Sequence, residues 1–129
     1  MNQTNKNNNQ WDLLADYFSN PNLCSVDNIE IVEPLLINRL KKSKELNIID
    51  FGCGTGYFCK RLAGFANSIL GIDGSKGMIK QAKKYNSIKK IAFSNKSLLS
   101  IDISNYNFFN ATFVFEFMND NKIIKILKY

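Results

Sequence analysis

The chain has 129 residues and a formal net charge of +6; 45% of its residues are apolar and 22% charged, values typical of a single globular domain. It has no histidine and only three cysteines, which excludes a histidine-based triad, a histidine metal site and a disulfide framework. We therefore expect no metal ion and a reducing, cytoplasmic setting, and no apolar run approaches the roughly 20 residues that span a membrane.

The first residues are predicted to form a polar leader followed by a helix. Residues 1–10 are rich in asparagine, which is typical of a disordered segment, so the domain is predicted to span residues 11–129. Between residues 11 and 19, apolar side chains recur at helical spacing. This segment therefore predicts an amphipathic helix.

A second helix is predicted from an apolar stripe that begins near Ile29 and ends near Leu40. Ser25 or Asp27 could cap this helix, because both side chains accept hydrogen bonds from free backbone N–H groups. Pro34 lies within the stripe and predicts a start or a kink there, since proline lacks a backbone donor.

Strands and helices alternate along the rest of the chain. Strands are predicted at residues 46–50, 68–73, 91–94 and 111–118. Helices are predicted after the first two strands and again over the last nine residues. Such alternation is typical of parallel strands joined by crossover helices, so the predicted fold class is α/β.

Three alternate glycines follow the first predicted strand and precede a helix. Gly52, Gly54 and Gly56 allow the backbone to turn sharply and to approach a ligand, and N–H groups at the helix start then face that ligand. Asp50 ends this strand, and Asp73 ends the next one, where a carboxylate can hold the hydroxyl groups of a ribose. The order of these elements disfavours a purely structural turn with two unrelated acids.

Two other glycine-rich sites are disfavoured by the residues around the loop. A dinucleotide fingerprint needs its third glycine where this chain has Tyr57, and Asp50 would repel a pyrophosphate. A phosphate-binding P-loop needs a lysine after the glycines, which is missing. Asp50 instead suits a cationic ligand group.

The residues around the glycines resemble a known family. Residues 50–56 resemble the first motif of class I S-adenosylmethionine-dependent methyltransferases, and residues 70–75, with Met78 and Ala82, resemble the second. The N-terminal lid helix of their small-molecule branch is similar to this chain at Trp11, Asp12, Ala15 and Tyr17. The resemblance implies a Rossmann-like parallel sheet with flanking helices, S-adenosylmethionine as the cofactor, and a partial domain that stops after the fourth of seven strands.

The resemblance also implies a set of cofactor-binding residues and no particular catalytic residue. The set is Asp50, Phe51, Gly52, Cys53, Gly54, Thr55, Gly56, Asp73, Gly74, Met78, Asn95 and Phe115. Asp50 and the glycine loop would hold the methionine part, and Asp73 the ribose. Gly74 and Met78 would border the adenine. Asn95 stands where the family has an acid facing the adenine amine, Phe115 would line the methyl-donor pocket, and Asn110 stands where the family often has aspartate.

Methyl transfer to a small-molecule acceptor is the implied function. Positioning of the two reactants would supply much of the rate, which suits a chain without histidine. A truncated remnant that binds cofactor or a partner without chemistry is the alternative. Cys53 as a nucleophile and Glu116 as a general base are further alternatives to packing and surface roles.

The positive charge is concentrated after residue 50. Residues 51–129 carry twelve basic and four acidic side chains, a balance of +8. This favours either an RNA-binding surface or solvated helix faces, and the absence of aromatic residues among the lysines favours the second interpretation.

The family's strand order would place the fourth strand at an open edge of the sheet. Residues 113–118 would then expose an apolar strand, which is an aggregation hazard. We therefore expect marginal stability, or an oligomer or partner chain that covers this edge.

Overall fold

The computed structural model describes residues 3–20, 29–112, 114–115 and 118–128. Of the residues named in the sequence analysis, Ser25, Asp27 and Glu116 lie outside the described residues. So do parts of the predicted leader, of the apolar run at 111–118 and of the last predicted helix. Among the described helices, none is long and apolar enough to cross a membrane. In the same part of the chain, no group of cysteine, aspartate and glutamate side chains could hold a metal ion.

In the part of the chain that the structure describes, four parallel strands form one sheet in the order β3-β2-β1-β4. The strands are β1 (Leu46–Phe51), β2 (Ala66–Ile72), β3 (Ile91–Ser94) and β4 (Phe108–Asn110). The predicted α/β class is therefore confirmed. Because the strands are parallel, their carboxyl ends meet at one edge, where sheets of this kind bind ligands.

Helices cover the sheet and leave β1 buried on both faces. The helices are α1 (Gln3–Ser19), α2 (Ile29–Leu40), α3 (Tyr57–Leu62), α4 (Lys76–Tyr85) and α5 (Asp120–Leu127). Neighbouring residues of a strand point to opposite faces, so Ile48 and Ile49 enter different cores. The α3-side core contains Ile48, Cys59, Leu62 and Ile69. The α5-side core contains Ile49, Ile72, Leu98 and Ile126.

The N-terminal helix is longer than predicted. α1 begins at Gln3 and not at Trp11, so it includes residues that the sequence places in a disordered leader. An existing helix gains one hydrogen bond for each further residue that it fixes, which lets polar residues extend an amphipathic segment. α2 begins at Ile29 and passes through Pro34, so this proline does not mark its start.

The predicted fourth strand is wrong in its position. The sequence places it at 111–118, whereas β4 is Phe108–Asn110 and the described residues after it lie outside any strand. Val114, Phe115 and Met118 are half-buried, and Phe115 and Met118 pack against the α5-side core. These described residues of the apolar run therefore pack over the sheet and do not form the exposed edge that its strand-forming residues predict. Among the described strands, β4 is still an edge strand, where Phe109 is 41% exposed.

Candidate functional site

The glycine loop connects β1 to α3 at the carboxyl edge of the sheet. Gly52, Gly54 and Gly56 have φ values of 70°, 55° and 86°, a region that strains any residue with a side chain. A Cβ on Gly52 would lie 2.5 Å from Val114 Cγ2, and one on Gly56 would lie 2.8 Å from Phe93 Cζ. A Cβ on Gly54 would meet nothing within 4 Å. Packing therefore requires glycine at the two ends of the loop, while its centre faces open space.

Backbone hydrogen bonds attach the glycine loop to the end of β2. The N–H groups of Gly52 and Cys53 donate to the carbonyl oxygen of Ile72 at 2.7 and 3.0 Å. The Gly54 N–H donates to Asp73 Oδ2 at 2.9 Å. The loop and the second acidic residue are thus brought together, as the sequence predicts.

Asp73 lies between the glycine loop and the start of α4. Its Oδ1 accepts a hydrogen bond from the Ser75 N–H at 2.8 Å, in addition to the bond from Gly54 to Oδ2. Burial raises the pKa of Asp73, although these two backbone hydrogen bonds lower it. Each carboxylate oxygen can accept a second hydrogen bond, so this half-buried group can still bind two hydroxyl donors.

Asp50 lies beneath the loop and is 2% exposed. Its Oδ1 accepts a hydrogen bond from Asn110 Nδ2 at 2.8 Å, and its Oδ2 accepts one from the Cys59 thiol at 3.2 Å. Burial raises the pKa of Asp50 to about 6. A contact between Asp50 and a cationic ligand group remains a prediction, because both carboxylate oxygens already have protein donors.

The difference in stability between Asp50→Asn and the wild type should depend on pH. Asp50 titrates near 6 when folded, against 3.8 for an ordinary aspartate, so the folded chain holds this proton more tightly than the unfolded chain. The stability that Asp50 contributes is therefore present below about pH 4 and lost as the pH rises through 6. Relative to the wild type, Asp50→Asn should gain roughly 2 kcal/mol of unfolding free energy between pH 4 and pH 7.

Urea unfolding of both proteins at pH 4, 5, 6 and 7 measures this difference. Comparing the two proteins at each pH cancels the titration of the other acids. A difference that stays constant across the four pH values would contradict the buried, proton-binding state of Asp50.

The two described cysteines are buried thiols. The contact with Cys59 lowers the pKa of Cys53, but burial and the charges of Asp50 and Asp73 outweigh it, so the pKa of Cys53 is raised. The pKa of Cys59 is also raised, by its contact with Cys53, by burial and by Asp50. A thiol that resists ionisation is a poor nucleophile, which argues against a catalytic Cys53. Cys59 packs in the α3-side core, and its thiol donates a hydrogen bond to Asp50.

The remaining predicted residues lie around the same edge of the sheet. Asn95 Nδ2 donates to the carbonyl oxygens of Asp73 at 3.0 Å and of Gly74 at 2.8 Å, so this side chain fixes the turn after β2. Met78 is buried, and Gly74 is exposed. The ring of Phe115 lies 6.2 Å from that of Phe51 at the end of β1. Their contacts with a cofactor remain predictions.

Two carboxylates, whose partners the sequence analysis did not predict, hold helices against the site. Asp12 of α1 accepts hydrogen bonds from Ser75 Oγ and the Gly77 N–H at the start of α4. Glu33 of α2 is 9% exposed and binds the Tyr57 hydroxyl and the Arg61 guanidinium of α3. The Tyr57 hydrogen bond lowers the pKa of Glu33. Both contacts join residues far apart in the chain, so no local pattern could have predicted them.

Comparison with known families agrees with this geometry. A family model described as a methyltransferase domain matches residues 48–129, which is more than half of the chain. The chain belongs to this family. The match includes the glycine loop, Asp73 and β4, which are the parts of the methyltransferase domain described above.

Curated relatives of this methyltransferase domain are longer proteins. Over 65 residues it is 32% identical to malonyl-(acyl-carrier protein) O-methyltransferase of Buchnera aphidicola, covering 47% of this chain and 26% of the relative. Over 99 residues it is 27% identical to the enzyme of that name from Bacillus cytotoxicus, covering 73% of this chain and 35% of the relative. The chain thus spans about a third or less of the length of these relatives.

Solved structures share the fold. A putative S-adenosylmethionine-dependent methyltransferase from Listeria monocytogenes is 26% identical with a TM-score of 0.56, covering 70% of this chain and 46% of that one. Phosphoethanolamine N-methyltransferase 1 of Haemonchus contortus, solved with phosphoethanolamine and S-adenosylhomocysteine, is 17% identical with a TM-score of 0.77, covering 96% of this chain and 28% of that one. The Rossmann-like sheet of class I methyltransferases, predicted from the two motifs, is confirmed.

Proposed function

We propose that this chain is the cofactor-binding part of an S-adenosylmethionine-dependent methyltransferase that acts on a small-molecule acceptor. The observation that carries the proposal is the open glycine loop beside Asp73, at the carboxyl ends of β1 and β2. The match to the methyltransferase domain family over residues 48–129 supports it.

The residues around the loop fit this cofactor. The open side of Gly54 leaves room for a ligand to approach the backbone, and the free acceptor positions of Asp73 suit the two hydroxyls of a ribose. Gly74 and Met78 would border the adenine, with Asn95 fixing the turn beside it. Asp50, Phe51 and the backbone of residues 52–56 would hold the methionine part, and Phe115 would close that side.

When bound, S-adenosylmethionine supplies a methyl group activated by its sulfonium charge. The chain's own residues would bind and orient the reactants, and such positioning can supply a large share of a rate. The raised pKa of Cys53 argues against a covalent route through that thiol. We therefore propose methyl transfer that depends on orientation and assign no catalytic residue.

The acceptor is proposed from the relatives. The two curated relatives are named for methylation of malonyl-(acyl-carrier protein), which makes a carboxylate on an acyl group the first acceptor to test. RNA is a less favoured ligand. The lysines at positions 76, 80, 83 and 84 are exposed on α4, as expected for a solvated helix face.

Two further features belong to this proposal. The edge of β4, with Phe109 exposed, would be covered by a second copy or a partner chain, since a free apolar edge favours association. Cys53 and Cys59 are free thiols, which supports a function in a reducing cytoplasm.

If the chain binds the cofactor without turnover, the alternative of a non-catalytic remnant is favoured.

Titration calorimetry with S-adenosylmethionine and S-adenosylhomocysteine tests the proposal. We expect saturable binding at one site, with a dissociation constant within the usual range of Michaelis constants, about 1 μM to 1 mM. Sedimentation equilibrium of the same sample reports whether copies associate. Absence of binding by a chain that circular dichroism shows to be folded would overturn the proposal.

A further inference from the structure

Ser75 lies between two carboxylates, Asp12 of α1 and Asp73 at the end of β2. Its backbone N–H donates to Asp73 Oδ1 at 2.8 Å, and its hydroxyl donates to Asp12 Oδ1 at 2.5 Å. The same hydroxyl oxygen accepts a hydrogen bond from the Met78 N–H at 3.0 Å, which caps α4. Ser75 is 1% exposed, so these three bonds fix a residue that is closed to water.

The position of Asp73 depends on this arrangement. Its Oδ2 accepts a hydrogen bond from the Gly54 N–H of the glycine loop, and its Oδ1 accepts one from the Ser75 N–H. Any movement of Ser75 would therefore release one side of the carboxylate. The Asp12 hydrogen bond is what attaches the Ser75 side chain to α1.

The close approach of α1 to this point is built into the sequence. A Cβ on Gly77 would lie 2.9 Å from Asp12 Cα and 3.0 Å from Asp12 O, so only glycine lets the two backbones come this near. The Gly77 N–H then donates to Asp12 Oδ1 at 2.7 Å. Asp12 thus has two donors at the start of α4, both of which strengthen its hold on the turn that carries Ser75.

We infer that Asp12 is a positioning residue, which acts through Ser75 to fix the Asp73 carboxylate for the ribose of the cofactor. This inference rests on the proposed function. The Asp12 carboxylate acts through Ser75 and is not assigned a contact with the ribose. It contributes to binding because a preorganised carboxylate loses less conformational freedom when a ligand arrives.

A purely structural role is the alternative, in which Asp12 only docks α1 against α4. Asp16 offers a matched control, because it lies one turn further along α1 and accepts a hydrogen bond from Gln81 of α4 instead of Ser75. Both Asp12→Asn and Asp16→Asn therefore weaken one contact between the same two helices. Only Asp12→Asn should disturb Asp73.

Amide hydrogen exchange at Gly54 tests the inference without any ligand. Because the Gly54 N–H is bound to Asp73 Oδ2, its exchange reports how firmly that carboxylate is held. Asp12→Asn and Ser75→Ala should each accelerate this exchange about ten-fold, and Asp16→Asn less than about two-fold. The Ile69 amide, bound to Lys90 O within the sheet, should exchange unchanged and so shows that each variant remains folded.

Binding of S-adenosylhomocysteine supplies the second readout. Asp12→Asn should weaken it about ten-fold, close to the lower end of the effect of losing one hydrogen bond to a charged group. In a double variant with Asp73→Asn, Asp12→Asn should weaken binding by less than about two-fold beyond the effect of Asp73→Asn alone, because both changes act on the same contact. Trp11 is the single tryptophan of the chain, so its fluorescence reports the docking of α1 in every variant.

The outcomes separate this inference from the proposed function. Additive losses in the double variant, or equal acceleration at Gly54 in Asp12→Asn and Asp16→Asn, would overturn the positioning role. If the wild type binds no S-adenosylhomocysteine, the proposed function fails, and the exchange rates at Gly54 still decide whether Asp12 holds Asp73.

Discussion

Asp73→Ala should weaken the binding of S-adenosylhomocysteine at least about 100-fold. The carboxylate offers charge-assisted hydrogen bonds to two ribose hydroxyls, each worth roughly 1.5–3 kcal/mol. Its loss also leaves the N–H groups of Gly54 and Ser75 without the acceptor that orders them. Alanine should therefore remove both the ligand contact and the order of the loop.

Asp73→Asn is the matched control for this change. Asparagine keeps one acceptor oxygen and the shape of the side chain, so its affinity should lie between those of the wild type and Asp73→Ala. Burial raises the pKa of Asp73, so loss of the charge does not itself destabilise the fold, and circular dichroism checks that both variants remain folded. Titration calorimetry measures all three proteins. Affinity within about three-fold of the wild type in Asp73→Ala would contradict the ribose-binding role.

Leu62→Ala should lower the free energy of unfolding by about 2–5 kcal/mol, the usual cost of truncating a buried leucine. Leu62 is fully buried at the end of α3, within the α3-side core. Leu62 shares this core with Ile48 of β1 and Ile69 of β2, and a cavity among such buried residues adds to the cost. Since domains of this size have only about 5–15 kcal/mol of stability, the variant should lose a large share of it.

Leu35→Ala provides a control of identical chemistry. Leu35 is 69% exposed on α2, and alanine favours the helix, so this change should alter stability by less than about 0.5 kcal/mol. Urea unfolding followed by circular dichroism measures both variants. Equal losses in the two would show that the α3-side core is not packed as described.

Several parts of the fold and of the site could be predicted because their cause is local. The positive φ angles of Gly52, Gly54 and Gly56 demand a residue without a side chain, so the glycines mark the loop in the sequence itself. β3 lies at residues 91–94, where the run IAFS predicts it. Asp73 is the residue directly after the second strand of a βαβ unit, and the structure places it against the loop.

The fourth strand shows where local reasoning fails. The run of apolar residues after Asn110 has the composition of a strand, yet the strand ends at Asn110. The side chain of Asn110 turns inward to Asp50, and Phe115 then packs against Phe51. Composition indicates that a segment is buried, but not whether it joins the sheet or packs over it.

The sequence by itself thus determined the order of the elements, the glycine loop and its acidic partner, because backbone conformation and hydrophobic periodicity are properties of neighbouring residues. Only the tertiary structure decided which buried polar groups satisfy one another. Asp12 meets Ser75 across 63 residues of chain, and Asp50 meets Asn110 across 60. Each such group must find a hydrogen-bond partner once water is excluded, and the packing of helices and strands alone decides which partner is within reach.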